Sequence, residues 1–191
     1  MKKSRVKGIL SYIIDDIIVK SKRGIPMRYT YTLAFLKYQD QILLVNRKKK
    51  PWMGIWNGLG GKNKEDEHPN NALLRELKEE MGYQFREDQL LFKGTLTWNT
   101  FDASGQGLYL YVINLEHPLN IKTPLNTDEG ILDWKSISWI MDHDNVGIAH
   151  NIPYFLPSIL EEKDCFHFHC IFENKRLISV SKEVISCRLS L

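Results

Sequence analysis

From Gly61 the chain reads Gly-Lys-Asn-Lys-Glu-Asp-Glu67, and seven residues separate that acid from Arg75-Glu-Leu-Lys-Glu-Glu-Met-Gly-Tyr83. This stretch limits the possible structures more tightly than any other. At about 100° per residue, Glu76, Glu79 and Glu80 share one arc of a helix, and Leu73, Leu74, Leu77 and Met81 share a neighbouring one. The helix therefore has a core face and a carboxylate face. Ala72 falls in the carboxylate arc, where a small side chain leaves room for an ion or a phosphate. Carboxylates at i, i+3 and i+4 repel one another, which destabilises a bare helix and raises at least one pKa. A hard divalent cation such as Mg²⁺ relieves the repulsion and takes oxygen ligands together with phosphates. Pro69 suits the first turn of this helix and Gly82 its C-terminal cap.

Around the helix the patterning alternates between strands and turns. Tyr29 to Tyr38 and Gln41 to Asn46 read as a hairpin across Gln39-Asp40. Arg47-Lys-Lys-Lys-Pro51 ends the second strand, and Trp52 to Lys62 is a Gly/Trp-rich loop. Gln89 to Asn99 and Leu108 to Leu115 are further strands, divided by a turn at Asp102 to Gly107. A short strand at Ile131 to Ile137, a second helix at Asn151 to Glu162, and a closing hairpin at Cys165 to Phe172 and Leu177 to Ser181 complete the order. Strands with two helices in this sequence predict an α/β fold, a mixed sheet covered on both faces.

Composition excludes more than it selects. At 191 residues, with 43% hydrophobic and 26% charged side chains, the chain has the profile of an ordinary globular domain. No apolar run reaches the roughly 18 residues needed to span a bilayer. A net charge of +3 is too small to argue for nucleic-acid binding. Residues 1–26 hold seven Lys/Arg against Asp15 and Asp16, a balance of +5, which leaves the rest near −2. Asp15-Asp16 interrupts the apolar run that would otherwise resemble a secretory leader, and no small-residue cleavage site follows. Residues 1–26 are read as an N-terminal extension of unknown role preceding a domain at 27–185, with Met27 as an alternative start. Three cysteines, Cys165, Cys170 and Cys187, with no secretory framework, predict reduced thiols and a cytoplasmic protein. Strand alternation places Phe166, Phe168 and Cys170 on one face and His167 and His169 on the other, which argues against a zinc site in that cluster.

The spacing G-x5-E-x7-R-E-U-x-E-E-x-G-U, with U apolar or aromatic, resembles the signature of the Nudix hydrolases. Here it is Gly61, Glu67, Arg75, Glu76, Leu77, Glu79, Glu80, Gly82 and Tyr83. The resemblance implies an α/β/α sandwich around a mixed sheet and Mg²⁺-dependent hydrolysis of a phosphoanhydride, with Mn²⁺ able to substitute. It implies that Glu76, Glu79 and Glu80 hold the ion, joined by the Gly60 carbonyl and Glu129, and that Arg75 orients a motif glutamate. Glu67 is then a supporting acid, and the general base is divided between Glu79 and Glu129. The Trp56-Asn57-Gly-Leu-Gly60-Gly61-Lys62 loop, with Asp128-Glu129 and then Trp134, is similar to the MutT-like members that hydrolyse oxidised purine nucleotides. An 8-oxo-dGTP-like substrate and a role in cleaning the nucleotide pool for DNA repair follow from that likeness.

Within it, Asn57 either reads a purine edge or fixes its own turn before Gly58. Lys62 is either a triphosphate contact or a solvated side chain. Arg47 to Lys50 either steer an anion or form a solvated loop. Trp134 and Trp139 either stack on a base or fill the core. Where MutT-like enzymes of this kind carry two base-reading aspartates, this chain aligns Asn151 and Ile152; Asp142 and Asp144 lie upstream at a different spacing. The expected partner is a small nucleotide, with no stable nucleic-acid binding and no membrane; the oligomeric state is open. The alternatives are another nucleoside-diphosphate-linked substrate, a 5′-triphosphate RNA end, or a non-catalytic nucleotide sensor.

Overall fold

The computed structural model describes residues 29–50, 52–99, 107–174 and 176–189, and those up to Arg188 belong to one compact unit, Tyr29–Arg188. The expectations for residues 1–26 and for the turn at 102–106 lie outside the described residues.

Nine strands form one mixed sheet among the described residues: β1 Tyr31–Tyr38, β2 Gln41–Arg47, β3 Trp56–Asn57, β4 Leu91–Trp98, β5 Gly107–Asn114, β6 Leu125–Asn126, β7 Gly130–Ser136, β8 Cys165–Glu173 and β9 Arg176–Ile185. Their order is β6-β7-β2-β1-β5-β4-β8-β9, with β3 paired to β2. β1 and β5 run parallel, as do β4 and β8; the other pairs are antiparallel. Helix α1 (Pro69–Met81) covers one face, and α2 (Ile137–Met141) and α3 (Ile152–Glu161) cover the other.

Alternation along the strands builds the two cores. Phe35, Ile42, Leu44, Leu96, Leu110 and Val112 pack with Ile152, Phe155, Leu156 and Ile159 of α3. Their neighbours Leu36, Leu43, Tyr111 and Ile113 are buried on the opposite side, where the Tyr111 hydroxyl donates to Asn70 of α1 at 2.9 Å. Phe166, Phe168 and Cys170 join the first core, while His167 and His169 on the reverse face bond to Thr95 and Thr97. Burial holds both imidazole pKa values below their usual range.

The feature that creates the site is a fork. β1 pairs with β2 only through Leu36, Lys37 and Tyr38. Beyond that point β2 continues with β7, and the segment after β3 fills the gap, bridging Ala34 to Leu59 and Tyr31 to Lys62. The Gly/Trp-rich stretch expected as a loop is thus partly a ribbon of the sheet. Leu59 and Gly61 accept from the Ala34 and Thr32 N–H groups, at 2.7 and 2.9 Å.

Two expectations are corrected. The strand predicted to run to Ile137 stops at Ser136, whose hydroxyl accepts from the Trp139 N–H and caps α2. The thiols are not all reduced: Cys165 and Cys187 form a disulfide, and Cys170 is free and buried. The β8–β9 register sets Cys165 opposite Ile185, so Cys187 falls just past it; an odd cysteine count does not encode that proximity. Burial pushes the Cys170 thiol up to about 11. No helix among the described residues is long and apolar enough to cross a membrane.

Candidate active site

Helix α1 presents its glutamates to the fork. His68 caps its start by accepting from the Asn70 N–H at 3.1 Å, Pro69 occupies the first turn, and Gly82 closes it in the left-handed region at φ 69°. Leu73, Leu77 and Met81 are buried against the sheet, and Ala72 is buried as well.

The carboxylates that look alike on a helical wheel are unlike in place. Glu80 is 6% exposed and accepts from the Gly60 N–H at 3.2 Å. Desolvation, reinforced by the negative charges of Glu76 and Glu129, pushes its pKa up to about 8; the Gly60 bond and the charge of Arg47 oppose the shift. Glu76 is half-buried against Gly61, where a β-carbon would overlap its carboxylate. Glu79 projects outward at 59% exposure. Glu129 precedes β7 and is tied to Lys49 at 2.6 Å.

Arg75 organises the outer side of this group. Its Nε and Nη2 donate to the two oxygens of Glu67 at 2.9 and 2.8 Å, its Nη1 donates to Glu76 at 2.6 Å, and its Nη2 also reaches the Lys62 carbonyl at 3.1 Å. This fork holds Glu67 down at about 2. Glu79 lies at 3.4 Å from Nη1. Replacing Arg75 with lysine keeps the charge and loses the fork. The expected result is a loss of about 1–3 kcal/mol in urea unfolding and about a tenfold drop in kcat, because Glu67 and Glu76 no longer share one planar partner. An unchanged urea midpoint would refute the organising role.

The donor set around Gly60 is all oxygen, which suits Mg²⁺ or Mn²⁺ rather than a softer ion. Among the described residues no three such groups converge closely enough to hold an ion as they stand, since Arg75 engages Glu76 and Lys49 engages Glu129. A carboxylate as buried as Glu80, with two others acting on it, is nevertheless a fit for a cation.

The remaining residues separate. Asn57 pairs with Val45, and its Oδ1 accepts from the Gly58 N–H at 2.9 Å, so it does fix its own turn; its amide nitrogen makes no bond among the described residues. Lys62 is exposed, and the groups that engage it are backbone: the bridge to Tyr31 and the carbonyl taken by Arg75. Asn151 sits at the start of α3, with its Nδ2 3.9 Å from the Cys170 sulfur, while Ile152 is buried in the core. Trp139 packs on the α3-side core, and Trp134 on the other face meets Tyr38 edge-on. The Trp56 ring carries the Lys135 ammonium at 4.2 Å. Sequence reading grouped Arg47 with a basic run and missed its place beside Glu129; the only signal that finds it is the long-range β2–β7 register.

The NUDIX domain profile matches residues 28–155. Mouse oxidized purine nucleoside triphosphate hydrolase is 29% identical over 139 residues, covering 72% of this chain and 84% of that protein. The MutT protein of Bacillus halodurans superposes with a TM-score of 0.62 at 20% identity, over 80% of this chain and 96% of the other. A bifunctional NMN adenylyltransferase/ADP ribose pyrophosphatase of Francisella tularensis, in complex with AMP and a Mn ion, superposes at 0.54 and 20% identity, over 80% of this chain and 46% of that one. With the profile spanning most of the chain and the same α/β/α fold in its structural neighbours, this protein belongs to the Nudix hydrolases, enzymes that cleave phosphoanhydride bonds in nucleoside-diphosphate-linked substrates.

Proposed function

We propose that the protein hydrolyses nucleoside triphosphates to the monophosphate and pyrophosphate, with oxidised purine deoxynucleotides as the preferred substrates. The observation that carries this reading is Glu80, buried beside Gly60 within reach of the charges of Glu76 and Glu129. Glu76, Glu79, Glu80, Glu129 and the Gly60 carbonyl are the groups that would hold Mg²⁺, or Mn²⁺ in its place. When bound, the ion neutralises phosphate oxygens and acidifies water. The attacking water forms the new phosphorus–oxygen bond and pyrophosphate leaves with the broken one; Glu79 and Glu129 are the two carboxylates that share the claim to the water's proton.

Substrate choice rests on the mouse relative, whose name specifies oxidised purine nucleoside triphosphates. Asn57 offers its free amide nitrogen to a base edge, and Asn151 opens the segment where base contacts are expected. A second reading, another nucleoside-diphosphate-linked substrate, is favoured by one observation: Ile152 is buried in the core and offers no polar group to a base.

Pyrophosphate release from ordinary and 8-oxo purine dNTPs at fixed Mg²⁺, with Glu80→Gln as control, separates the two. A preference for an 8-oxo purine that vanishes in the control is the expected result. Activity on ADP-ribose or another diphosphate-linked compound, with none on triphosphates, would transfer the conclusion to the second reading.

A further inference from the structure

Arg47 ends β2 and stands opposite Gly130 of β7. A side chain at Gly130 would overlap the Asn46 carbonyl, and the Lys48 N–H donates to the Glu129 carbonyl at 2.9 Å. The end of β2 and the turn before β7 are thereby clamped, and side chains 80 residues apart in sequence meet. Lys49 Nζ lies 2.6 Å from one Glu129 oxygen, and Arg47 Nη2 lies 3.8 Å from the other. Lys48 reaches instead to the Thr127 carbonyl at 2.6 Å.

Arg47 does not behave as an ordinary surface ion-pair partner. Its side chain is only 22% exposed, and its Nε is buried with no acceptor among the described residues. Its separation from Glu129 is beyond hydrogen-bonding reach. A guanidinium carries five N–H donors in a planar fork, and withdrawing even one of them from water without an acceptor is costly. Such a group is a donor set held ready for an oxyanion. Its location gives the oxyanion an identity, because Arg47 shares with Lys49 the carboxylate of Glu129, one of the groups that would hold the ion.

We propose that Arg47 and Lys49 bind the phosphates of the nucleotide, and that Glu129 holds them in the free protein as a built-in competitor displaced when a phosphate arrives. The inference rests on the nucleotide reading above and adds to it the residues that take the phosphates. A polyphosphate offers more charge than one carboxylate and matches the guanidinium fork with two oxygens at once, so the exchange runs toward substrate. Once released, Glu129 is without its cationic partners and free to join the carboxylate cluster. Arrival of phosphate thus completes the oxygen set, and a nucleoside lacking phosphates leaves the Lys49–Glu129 pair closed.

The test measures binding of inorganic tripolyphosphate to the full chain by calorimetry in EDTA, which removes any contribution from metal ligation. Lys49→Met and Arg47→Gln are expected to weaken binding about three- to tenfold each, and Arg47→Lys to recover part of the loss. Glu129→Gln is expected to tighten it several-fold. Glu79→Gln, which removes the same charge from a carboxylate that Arg47 and Lys49 do not touch, is expected to tighten it less. Lys49 is 61% exposed, so its variant keeps the test alive if Arg47→Gln fails to fold. Unchanged affinity in the Lys49 variant, or equal effects of the two Gln variants, would overturn the exchange. Nucleotide turnover by the wild type alongside such a result leaves the hydrolase reading intact; a confirmed exchange with no triphosphate turned over sinks the substrate reading alone.

Discussion

Glu80→Gln is expected to lower kcat by about 10³-fold and, at the same time, to make the metal-free protein more stable at neutral pH. The two effects have one cause. Burial pushes the Glu80 carboxyl up to about 8, above the ordinary glutamate value of 4.5 that applies in the unfolded chain. Below pH 4.5 both states hold the proton and the group is neutral toward stability. Between 4.5 and 8 the unfolded chain ionises while the folded one resists, so stability falls as pH rises. Above 8 the loss is complete, on the order of 5 kcal/mol. Glutamine carries no such charge and should flatten that limb of the curve in denaturant unfolding at pH 5, 7 and 8.5. Mg²⁺ should restore wild-type stability and leave the variant unmoved, since only the wild type gains a ligand in the folded state. A variant less stable than the metal-free wild type at pH 8.5 would show that desolvation does not govern this carboxyl.

Gly60→Ala has the largest expected effect on both fold and activity together. Gly60 sits at φ 137°, a conformation that side-chain-bearing residues rarely adopt, and a β-carbon there would collide with the Thr32 carbonyl. The collision falls where the fork is stitched to β1, and the Gly60 N–H is the one bonded to Glu80. Loss of about 3 kcal/mol and at least about a hundredfold in kcat/KM is expected. Gly82→Ala provides the contrast. Gly82, a motif glycine, also lies at positive φ, at 69°, but among the described residues nothing comes within 4 Å of the position a β-carbon would take. Only the conformational cost of about 1 kcal/mol remains, with activity retained. Equal losses in the two variants would refute the argument that close approach, rather than backbone conformation, distinguishes them.

These contrasts show where the sequence stops being legible. Strand and helix positions were readable because apolar alternation and the 3.6-residue period are local properties, and β1, β2, α1 and α3 lie within one or two residues of their expected bounds. The partial ribbon at 56–62 was not, since Gly- and Trp-rich composition reads as loop until a gap in a sheet exists to receive it. Nor was the Cys165–Cys187 disulfide, which depends on the β8–β9 register.

By itself the sequence determined the family, the α/β class and the helix carrying Arg75, Glu76, Glu79 and Glu80, because spacing along one helix fixes which side chains share a face. Tertiary structure alone decided that these glutamates are unequal. The fork buries Glu80 under Gly60 and leaves Glu79 in solvent, and the β2–β7 pairing brings Arg47 and Lys49 onto Glu129. Desolvation and long-range pairing depend on what lies across the gap, and no local pattern records it.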